Sequence, residues 1–157
     1  MRIRKLSHED LAAIIVIQTR TPEASRWTQG DYQSLAREPS GLILVADLGT
    51  TDRPGIIGFA AFHRVIDEAE VLNMAVDPEY QRQGVGRGLL AEGLRRLLEQ
   101  GVRRVYLEVR TSNIRAQKLY FSAGLALHYL REDYYDNPRE DALVLSRELF
   151  APREAAC

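Results

Sequence analysis

The apolar positions of this chain change between the spacing of strands and the spacing of helices. Ile3 to Leu6 predicts a short strand, and the capping sequence Ser7-His8-Glu9-Asp10 opens a helix through the apolar stretch from Leu11 to Ile17. Thr21-Pro22 interrupts that helix, and a second helix, capped by Thr28, is predicted to reach about Arg37. The first part of the chain is therefore predicted to form a strand followed by two helices.

The middle of the chain predicts a meander of three strands. Leu42 to Ala46 and Gly55 to Phe62 are rich in β-forming residues, and the turn-forming segment from Gly49 to Pro54 separates them. These two strands are therefore expected to form a hairpin. A third strand runs from Ala69 to Val76, and Asp77-Pro78 ends it.

The remaining half alternates helices and strands. Leucines at positions 90, 94, 97 and 98 recur on one face of a helix. Glycines end both helices of this half, and a polar turn containing Asn137-Pro138 separates its last two strands. The predicted elements are a helix from about Gly86 to Gly101, a strand from Val105 to Val109, a helix from Asn113 to Ser122, and strands from Leu125 to Asp133 and from Asp141 to Leu149.

The length of 157 residues and a hydrophobic content of 45% predict one domain, since a chain of this size buries roughly 70% of its unfolded surface. We assign residues 1–150 to that domain and residues 151–157 to a C-terminal tail. The chain lacks an apolar run of the roughly 20 residues that a membrane helix needs. Met1 to Lys5 also lacks the apolar stretch of a signal peptide. A cytoplasmic protein without a membrane partner is expected.

The charges argue against several kinds of partner. The 21 basic and 22 acidic residues are scattered evenly, without the basic stripe that binds nucleic acid. The single cysteine, Cys157, excludes an internal disulfide or a cysteine-based metal cluster and is interpreted as a frayed terminal thiol. His8, His63 and His128 are scattered and are interpreted as structural residues. We therefore expect neither nucleic acid nor a metal ion.

The loop from Gln81 to Gly86 joins a strand to the N-terminus of a helix. Backbone N–H groups at such a junction attract anions, Gly84 and Gly86 leave room for a diphosphate, and Arg82 and Arg87 add positive charge. Two glycines that serve only the backbone are the alternative. A dinucleotide-binding fold does not fit, because seven residues separate strand and glycine, and a P-loop lacks its Gly-Lys-Ser/Thr sequence.

The pattern Gln81-x-x-Gly84-x-Gly86, after a strand that ends in Val76-Asp77-Pro78, resembles the acyl-CoA-binding motif of the GCN5-related N-acetyltransferase (GNAT) superfamily. Within it, further motifs resemble the bacterial ribosomal-protein-alanine N-acetyltransferases. Ser25-Arg26-Trp27-Thr28 stands where that subfamily usually has Phe-Pro-Trp-Ser, and Leu125 stands where it usually has phenylalanine. The matching motifs are Asp67-Glu68-Ala69, Asn73-Met74-Ala75-Val76, Leu107-Glu108-Val109-Arg110, Ser112-Asn113, Leu119-Tyr120 and Tyr134-Tyr135.

The resemblance implies an α/β (α+β) fold, in which about four helices flank a mixed central sheet of about six to seven strands. It implies acetyl-CoA as co-substrate in a cleft between two splayed strands, without a metal. Backbone N–H groups of the glycine-containing loop would hold the pyrophosphate, and a strand edge would pair with pantetheine. The implied cofactor-binding residues are Met74, Ala75, Val76, Arg82, Gln83, Gly84, Val85, Gly86, Arg87 and Asn113.

The resemblance also implies the catalytic groups. Glu108 matches the general base, Tyr120 the general acid that protonates the departing thiolate, and Tyr134 and Tyr135 line the peptide groove. A backbone N–H near Met74 would stabilise the oxyanion. From the residues alone, Glu108 is equally an exposed strand carboxylate and Tyr120 a core residue. Tyr134 and Tyr135 are equally one exposed and one buried strand residue.

The acceptor follows from amine chemistry as well as from the resemblance. An α-amine of pKa about 7.8 needs roughly 3.5 kcal/mol less deprotonation than a lysine of pKa about 10.4. The acceptor is therefore expected to be a protein or peptide N-terminus. The alternatives are an acetyltransferase for a lysine side chain or for a small amine such as a polyamine or aminoglycoside, and a non-catalytic acyl-CoA-binding module. A monomer and a homodimer both fit the sequence.

Overall fold

Seven strands form one sheet, and helices cover both of its faces. The computed structural model of the chain describes residues 1–50, 52 and 55–150. Part of the predicted turn from Gly49 to Pro54, and the tail 151–157 with Cys157, lie outside the described residues. The strands are β1 (Arg2–Lys5), β2 (Gly41–Asp47), β3 (Ile56–Val65), β4 (Glu68–Val76), β5 (Arg104–Arg110), β6 (Ala126–Tyr135) and β7 (Glu140–Glu148), and the α-helices are α1 (Leu11–Thr19), α2 (Gln29–Arg37), α3 (Val85–Glu99) and α4 (Ile114–Ser122).

The sheet is mixed, with the strand order β1-β2-β3-β4-β5-β7-β6. Neighbouring strands are antiparallel except β4 and β5, which are parallel. The predicted mixed sheet and its four flanking helices are confirmed. The predicted hairpin between the second and third strands is confirmed by the antiparallel pairing of β2 with β3.

The parallel pair in the centre of the sheet is short. Its pairing covers Glu68–Glu70 of β4 and Arg104–Tyr106 of β5, while the two strands continue to Val76 and Arg110. Just after the paired residues, Leu72 is the extra residue of a β-bulge against β3. Because a bulge bends its strand and increases the local twist, β4 turns away from β5 at this point. The centre of the sheet is therefore splayed, as the resemblance implied.

Polar caps set several of the helix ends. The Thr28 hydroxyl accepts a hydrogen bond from the Asp31 N–H at 3.2 Å, and the Asp31 carboxylate accepts one from the Thr28 N–H at 2.8 Å. The Asn113 side-chain oxygen accepts from the Ala116 N–H at 3.2 Å. These reciprocal bonds satisfy backbone donors that a helix leaves unpaired. Both helices begin where the sequence predicts, whereas α3 begins at Val85, one residue earlier than expected.

Each face of the sheet has its own hydrophobic core. Phe62 of β3 and Leu90 of α3 are fully buried between the sheet and α3, whereas Phe59 of β3 and Tyr32 of α2 are fully buried between the sheet and the pair α1 and α2. Burial of a large apolar side chain stabilises the fold by roughly 1.5–3 kcal/mol. Gly93 allows α3 to approach the sheet, because a Cβ atom at this position would lie 2.2 Å from the Phe62 Cζ atom.

A buried carboxylate holds the N-terminal strand to the sheet. Asp47 accepts hydrogen bonds from the N–H groups of Gly49 at 2.7 Å and Gly55 at 2.9 Å, and from the Arg4 guanidinium at 3.1 Å. Burial alone would raise the pKa of Asp47, but these donors together with Arg2 outweigh it and lower the pKa to about 2. Asp47 is therefore charged in the native protein and stabilises it in that form.

Among the described residues, no helix combines the length and the hydropathy that crossing a bilayer requires.

Candidate active site

A cleft of about 890 Å³ opens where β4 and β5 separate. Its walls are the diverging ends of the two strands, the N-terminal turns of α3 and α4, and the loop from Thr21 to Ser25. Every predicted site residue except Gln83 and Tyr134 lines this cleft. Cavities of this size ordinarily bind a small molecule or a cofactor.

The N-terminus of α3 forms one end of the cleft. Gly84 is the N-cap of this helix and has a left-handed φ of 84°, and a Cβ atom at this position would meet nothing within 4 Å. Arg82 also has a positive φ, of 62°, which is unusual for a residue with a side chain. The first N–H groups of a helix lack intrahelical partners, so this end of the cleft presents donors to an anion. The sequence reasoning from Gly84 and Gly86 agrees with this geometry.

Gln83, which was predicted to contact the cofactor, lies outside the lining of the cleft. Its side-chain amide instead donates to the Glu79 carbonyl at 3.2 Å. Gln81, noted from sequence only as part of the motif, has a clear structural role. Its amide donates to the Val76 carbonyl at 3.0 Å, and its oxygen accepts from the Arg115 guanidinium. Gln81 therefore holds the loop against both the end of β4 and the start of α4.

The edge of β4 that faces the cleft carries N–H groups that do not pair with β3. The Asp77 N–H donates to the Ile57 carbonyl of β3 at 2.8 Å. Because successive N–H groups of a strand point to opposite edges, the N–H groups of Val76 and Met74 face away from β3. Both residues line the cleft. A peptide-like ligand can therefore add to this edge as a further strand does.

Glu108 lies on β5, and its side chain is only 19% exposed. Its neighbours Leu107 and Val109 are buried on the α3 side of the sheet, so Glu108 faces the side of α1 and α2. Its carboxylate forms an ion pair with Arg131 of β6. Arg131 was not singled out from the sequence, because a partner from another strand leaves no local pattern. Glu108 also lines a second cavity, of about 250 Å³.

Tyr120 lies on α4 and packs against the core on the α3 side. Burial, with a smaller contribution from the nearby Tyr135, raises the pKa of its phenol to about 12. The hydroxyl has no hydrogen-bond partner among the residues that the structure describes. Tyr120 therefore enters the cleft as a protonated phenol. Glu108 reaches the same cleft from the opposite face of the sheet.

The two consecutive tyrosines of β6 are placed differently. Tyr135 lines the cleft, and the Arg110 guanidinium lies 4.1 Å from its ring centroid. Tyr134 is 43% exposed and lies outside the cleft lining, with the Arg131 guanidinium 4.5 Å from its ring centroid. The Glu108 carboxylate nearby raises the pKa of Tyr134. Tyr134 is therefore exposed, and Tyr135 is half-buried.

Arg110 fixes the loop that follows Tyr135. Its guanidinium donates to the Pro138 carbonyl at 3.0 Å and to the Glu140 carboxylate at 3.3 Å. Glu140 in turn accepts from the Thr111 hydroxyl at 3.0 Å. The end of β5 and the β6–β7 connection are therefore held together over the cleft.

Among the described residues, no group of three or more histidine, cysteine, aspartate or glutamate side chains is arranged to hold a metal ion.

Comparisons with known proteins agree with this geometry. The sequence pattern of the acetyltransferase (GNAT) family matches residues 9–124. The chain is 36% identical over 146 residues to the [ribosomal protein bS18]-alanine N-acetyltransferase of Escherichia coli K12, an alignment that covers 92% of this chain and 95% of that protein.

Solved structures give the same relationship. The crystal structure of the ribosomal-protein-S18-alanine N-acetyltransferase from Escherichia coli superimposes with a TM-score of 0.81 at 33% identity and covers 99% of both chains. The structure of Ard1 from Thermoplasma volcanium superimposes with a TM-score of 0.84 at 28% identity, covering 96% of this chain and 98% of that one.

Proposed function

The chain belongs to the acetyltransferase (GNAT) family, and from that premise we propose that it acetylates the N-terminal α-amine of a protein or peptide. The acetyl donor is acetyl-CoA. The observation that carries the proposal is the splay of β4 and β5, which brings a free strand edge, Glu108 and Tyr120 to one cleft. The E. coli relative, whose name gives a ribosomal protein alanine as its substrate, supports the choice of acceptor. Ribosomal proteins are cytoplasmic, and we propose the same location for this enzyme.

We assign the binding of acetyl-CoA to the backbone. The cleft fits such a ligand in three respects: its volume, the donors at the N-terminus of α3, and the unpaired edge of β4. The N–H groups from Arg82 to Arg87 would hold the pyrophosphate, and the edge from Met74 to Val76 would pair with the amides of pantetheine. Asn113, which caps α4 and lines the cleft, is a further contact. Bound acetyl-CoA supplies the thioester whose acetyl group is transferred.

We assign the removal of the amine proton to Glu108. During transfer a C–N bond forms, the C–S bond breaks, and the amine nitrogen loses a proton. Glu108 lies at the wall shared by the cleft and the second cavity, so an amine that enters from the second cavity meets its carboxylate. The N–H of Met74 is directed into the cleft and would donate to the oxygen on which negative charge develops.

We assign the protonation of the departing sulfur to Tyr120. A thiolate leaves more readily when a nearby group delivers a proton. With its pKa near 12, the phenol keeps its proton at any ordinary pH. Tyr120 and Glu108 approach the cleft from opposite faces of the sheet, so acid and base act on opposite ends of the reaction.

The acceptor class follows from the strength of the base that is needed. At pH 7 roughly a tenth of an α-amine is already deprotonated, whereas a lysine side chain is almost fully charged, a difference of about 3.5 kcal/mol. A carboxylate such as Glu108 is a weak base. It therefore serves an N-terminal amine better than a lysine side chain.

One observation favours a second candidate, acetylation of a small polyamine. Glu68 and Glu70 line the second cavity beside Glu108, and together they would attract a polycation. Asp67, which sequence reasoning grouped with them, does not line that cavity. Burial and the charge of Glu108 raise the pKa of Glu70, although His63 and Arg131 oppose this shift.

The test compares three acceptors with acetyl-CoA under the same conditions. They are a peptide that starts with alanine, the same peptide with a blocked N-terminus and an internal lysine, and spermidine. We expect the free N-terminus to give the highest kcat/KM, with mass spectrometry locating the acetyl group on the α-nitrogen. Faster acetylation of spermidine would favour the polyamine function. Acetyl-CoA binding without transfer to any acceptor would contradict both.

A further inference from the structure

A buried asparagine holds the loop that forms the acceptor side of the cleft. Asn73 of β4 is only 5% exposed. Its side-chain oxygen accepts from the Ser25 N–H at 3.0 Å, and its side-chain nitrogen donates to the Ser25 carbonyl at 3.0 Å. One amide side chain therefore satisfies both backbone groups of one residue, as a neighbouring strand would.

The remaining hydrogen-bonding capacity of Asn73 is used by α1 and α2. Its side-chain nitrogen also donates to the Tyr32 hydroxyl at 2.8 Å, and Tyr32 donates to the Gln18 side-chain oxygen. The Gln18 side-chain nitrogen then donates to the Trp27 carbonyl at 2.8 Å. Each polar group of this buried chain has a partner, so the network favours one arrangement of the loop.

The loop that the network holds is part of the cleft. Thr21, Ala24 and Ser25 line the cleft, on the same sheet face as the catalytic carboxylate. Asn73 lies between Leu72, the extra residue of the bulge, and Met74, whose N–H faces the cleft. The side chain of Asn73 thus ties the loop to the segment of β4 where the acetyl group would be held.

We propose that Asn73 is a positioning residue that acts through Ser25 and sets the height of the loop from Thr21 to Thr28 over the acceptor. This inference rests on the proposed N-terminal acetylation. Asn73 holds main-chain groups, so the side chains of the loop stay free to contact the acceptor. Asn73 therefore governs acceptor binding and leaves acetyl-CoA binding, on the α3 side of the cleft, unchanged.

The test uses two variants and a matched control. Asn73→Asp keeps the shape but removes both N–H donors, and Asn73→Ala removes all of the hydrogen bonds without adding charge. Tyr32→Phe is the control, because it removes the two bonds that the Tyr32 hydroxyl makes in the same network and leaves the pair between Asn73 and Ser25 intact. We measure KM for the alanine-starting peptide, Kd for acetyl-CoA, Tm and hydrogen exchange of the loop amides.

We expect both Asn73 variants to raise the peptide KM about tenfold or more, the effect of losing at least two buried hydrogen bonds. The Kd for acetyl-CoA should stay within about twofold of the wild type. The loop amides should exchange faster, that of Ser25 most clearly in Asn73→Ala. Tyr32→Phe should lower Tm but leave both the peptide KM and the exchange of the Ser25 amide near the wild-type values.

Three results overturn this inference. The first is an unchanged peptide KM in both Asn73 variants, and the second is an equal loss of peptide and acetyl-CoA affinity with faster exchange throughout the protein. The third is a rise of the peptide KM in Tyr32→Phe that equals the rise in the Asn73 variants. If the wild type acetylates no peptide, the proposed function fails. Hydrogen exchange then decides the inference by itself, and unchanged exchange of the loop amides overturns it.

Discussion

Replacing Tyr120 with phenylalanine removes the proposed acid and retains the ring. The ring packs against the core beside α3, and the hydroxyl has no hydrogen-bond partner among the described residues. Removal of the hydroxyl therefore leaves no buried group unpaired, and the free energy of unfolding should change by less than about 1 kcal/mol. Any large fall in kcat would then come from the loss of the hydroxyl's role in the reaction and not from unfolding.

The expected magnitude follows from the role of the proton. A general acid typically contributes about 10²- to 10⁴-fold in rate, which is about 2.7–5.4 kcal/mol of activation free energy. We expect kcat of Tyr120→Phe to fall by that factor while Kd for acetyl-CoA stays unchanged, because the phenol acts as the C–S bond breaks. A pKa near 12 also predicts that ionisation of Tyr120 causes no loss of wild-type rate up to about pH 10.

The assay measures kcat on the alanine-starting peptide and Kd for acetyl-CoA by calorimetry, in wild type and two variants. Tyr135→Phe is the matched control, since Tyr135 lines the same cleft and burial raises its pKa to about 12 as well. Its kcat should stay near that of the wild type. Wild-type turnover in Tyr120→Phe would reduce Tyr120 to a packing residue. A fall of kcat in Tyr135→Phe instead would transfer the acid role to Tyr135.

Three further predictions concern the base, the cofactor loop and acid stability. Glu108→Gln should lower kcat/KM for the peptide most at pH values at which the amine is charged. The difference in kcat/KM from the wild type should shrink above the amine pKa of about 7.8. If the pH–rate profiles show a difference that is independent of pH, Glu108 only orients the acceptor. Gly84→Ala should raise the acetyl-CoA Kd about tenfold or more. Gly101→Ala is the control and should leave Kd unchanged, because its φ of 91° gives a similar backbone strain at a position away from the cleft. Calorimetry measures Kd in both variants, and equal effects would mean that the cofactor binds elsewhere. Because the pKa of Asp47 is lowered to about 2, the charged carboxylate stabilises the fold fully above about pH 4, and this stabilisation is lost as pH falls toward 2. In thermal melts from pH 2 to 7, Asp47→Asn should have a lower Tm than the wild type at neutral pH and a smaller loss of Tm over the acid range. Parallel curves of Tm against pH would contradict this.

The order of the strands and helices was predictable because its signals are local. Thr28 and Asn113 cap their helices through hydrogen bonds to residues three positions ahead, so a short stretch of sequence contains both partners. Gly84 adopts a left-handed conformation, which glycine accommodates without strain. Leu125, which directly follows the glycine at the end of α4, is buried in the core.

The parts of the site that escaped prediction depend on distant partners. Arg131 meets Glu108 across 23 positions, and Asn73 meets Ser25 across 48, so neither pair leaves a periodic signal. The difference between Tyr134 and Tyr135 arises from the alternation of side chains along β6, whose register against β7 shifts between Arg131 and Tyr135. The two tyrosines are adjacent in the sequence motif, but successive side chains of a strand point to opposite faces of the sheet.

The bulge in β4 explains why the proposed acid and the proposed base can both reach one cleft. In a continuous sheet, Glu108 and Tyr120 would lie on opposite sides of a layer of hydrogen-bonded strands, because Glu108 points to one face of β5 and Tyr120 packs on the other. The extra residue Leu72 bends β4 away from β5 after three paired residues. The opening gives both side chains access to one cleft and leaves the N–H of Met74 without a strand partner on that edge. One inserted residue therefore opens the proposed cofactor edge, the proposed oxyanion donor and the path between the proposed base and acid, so closing the gap by continued β4–β5 pairing would remove all three together.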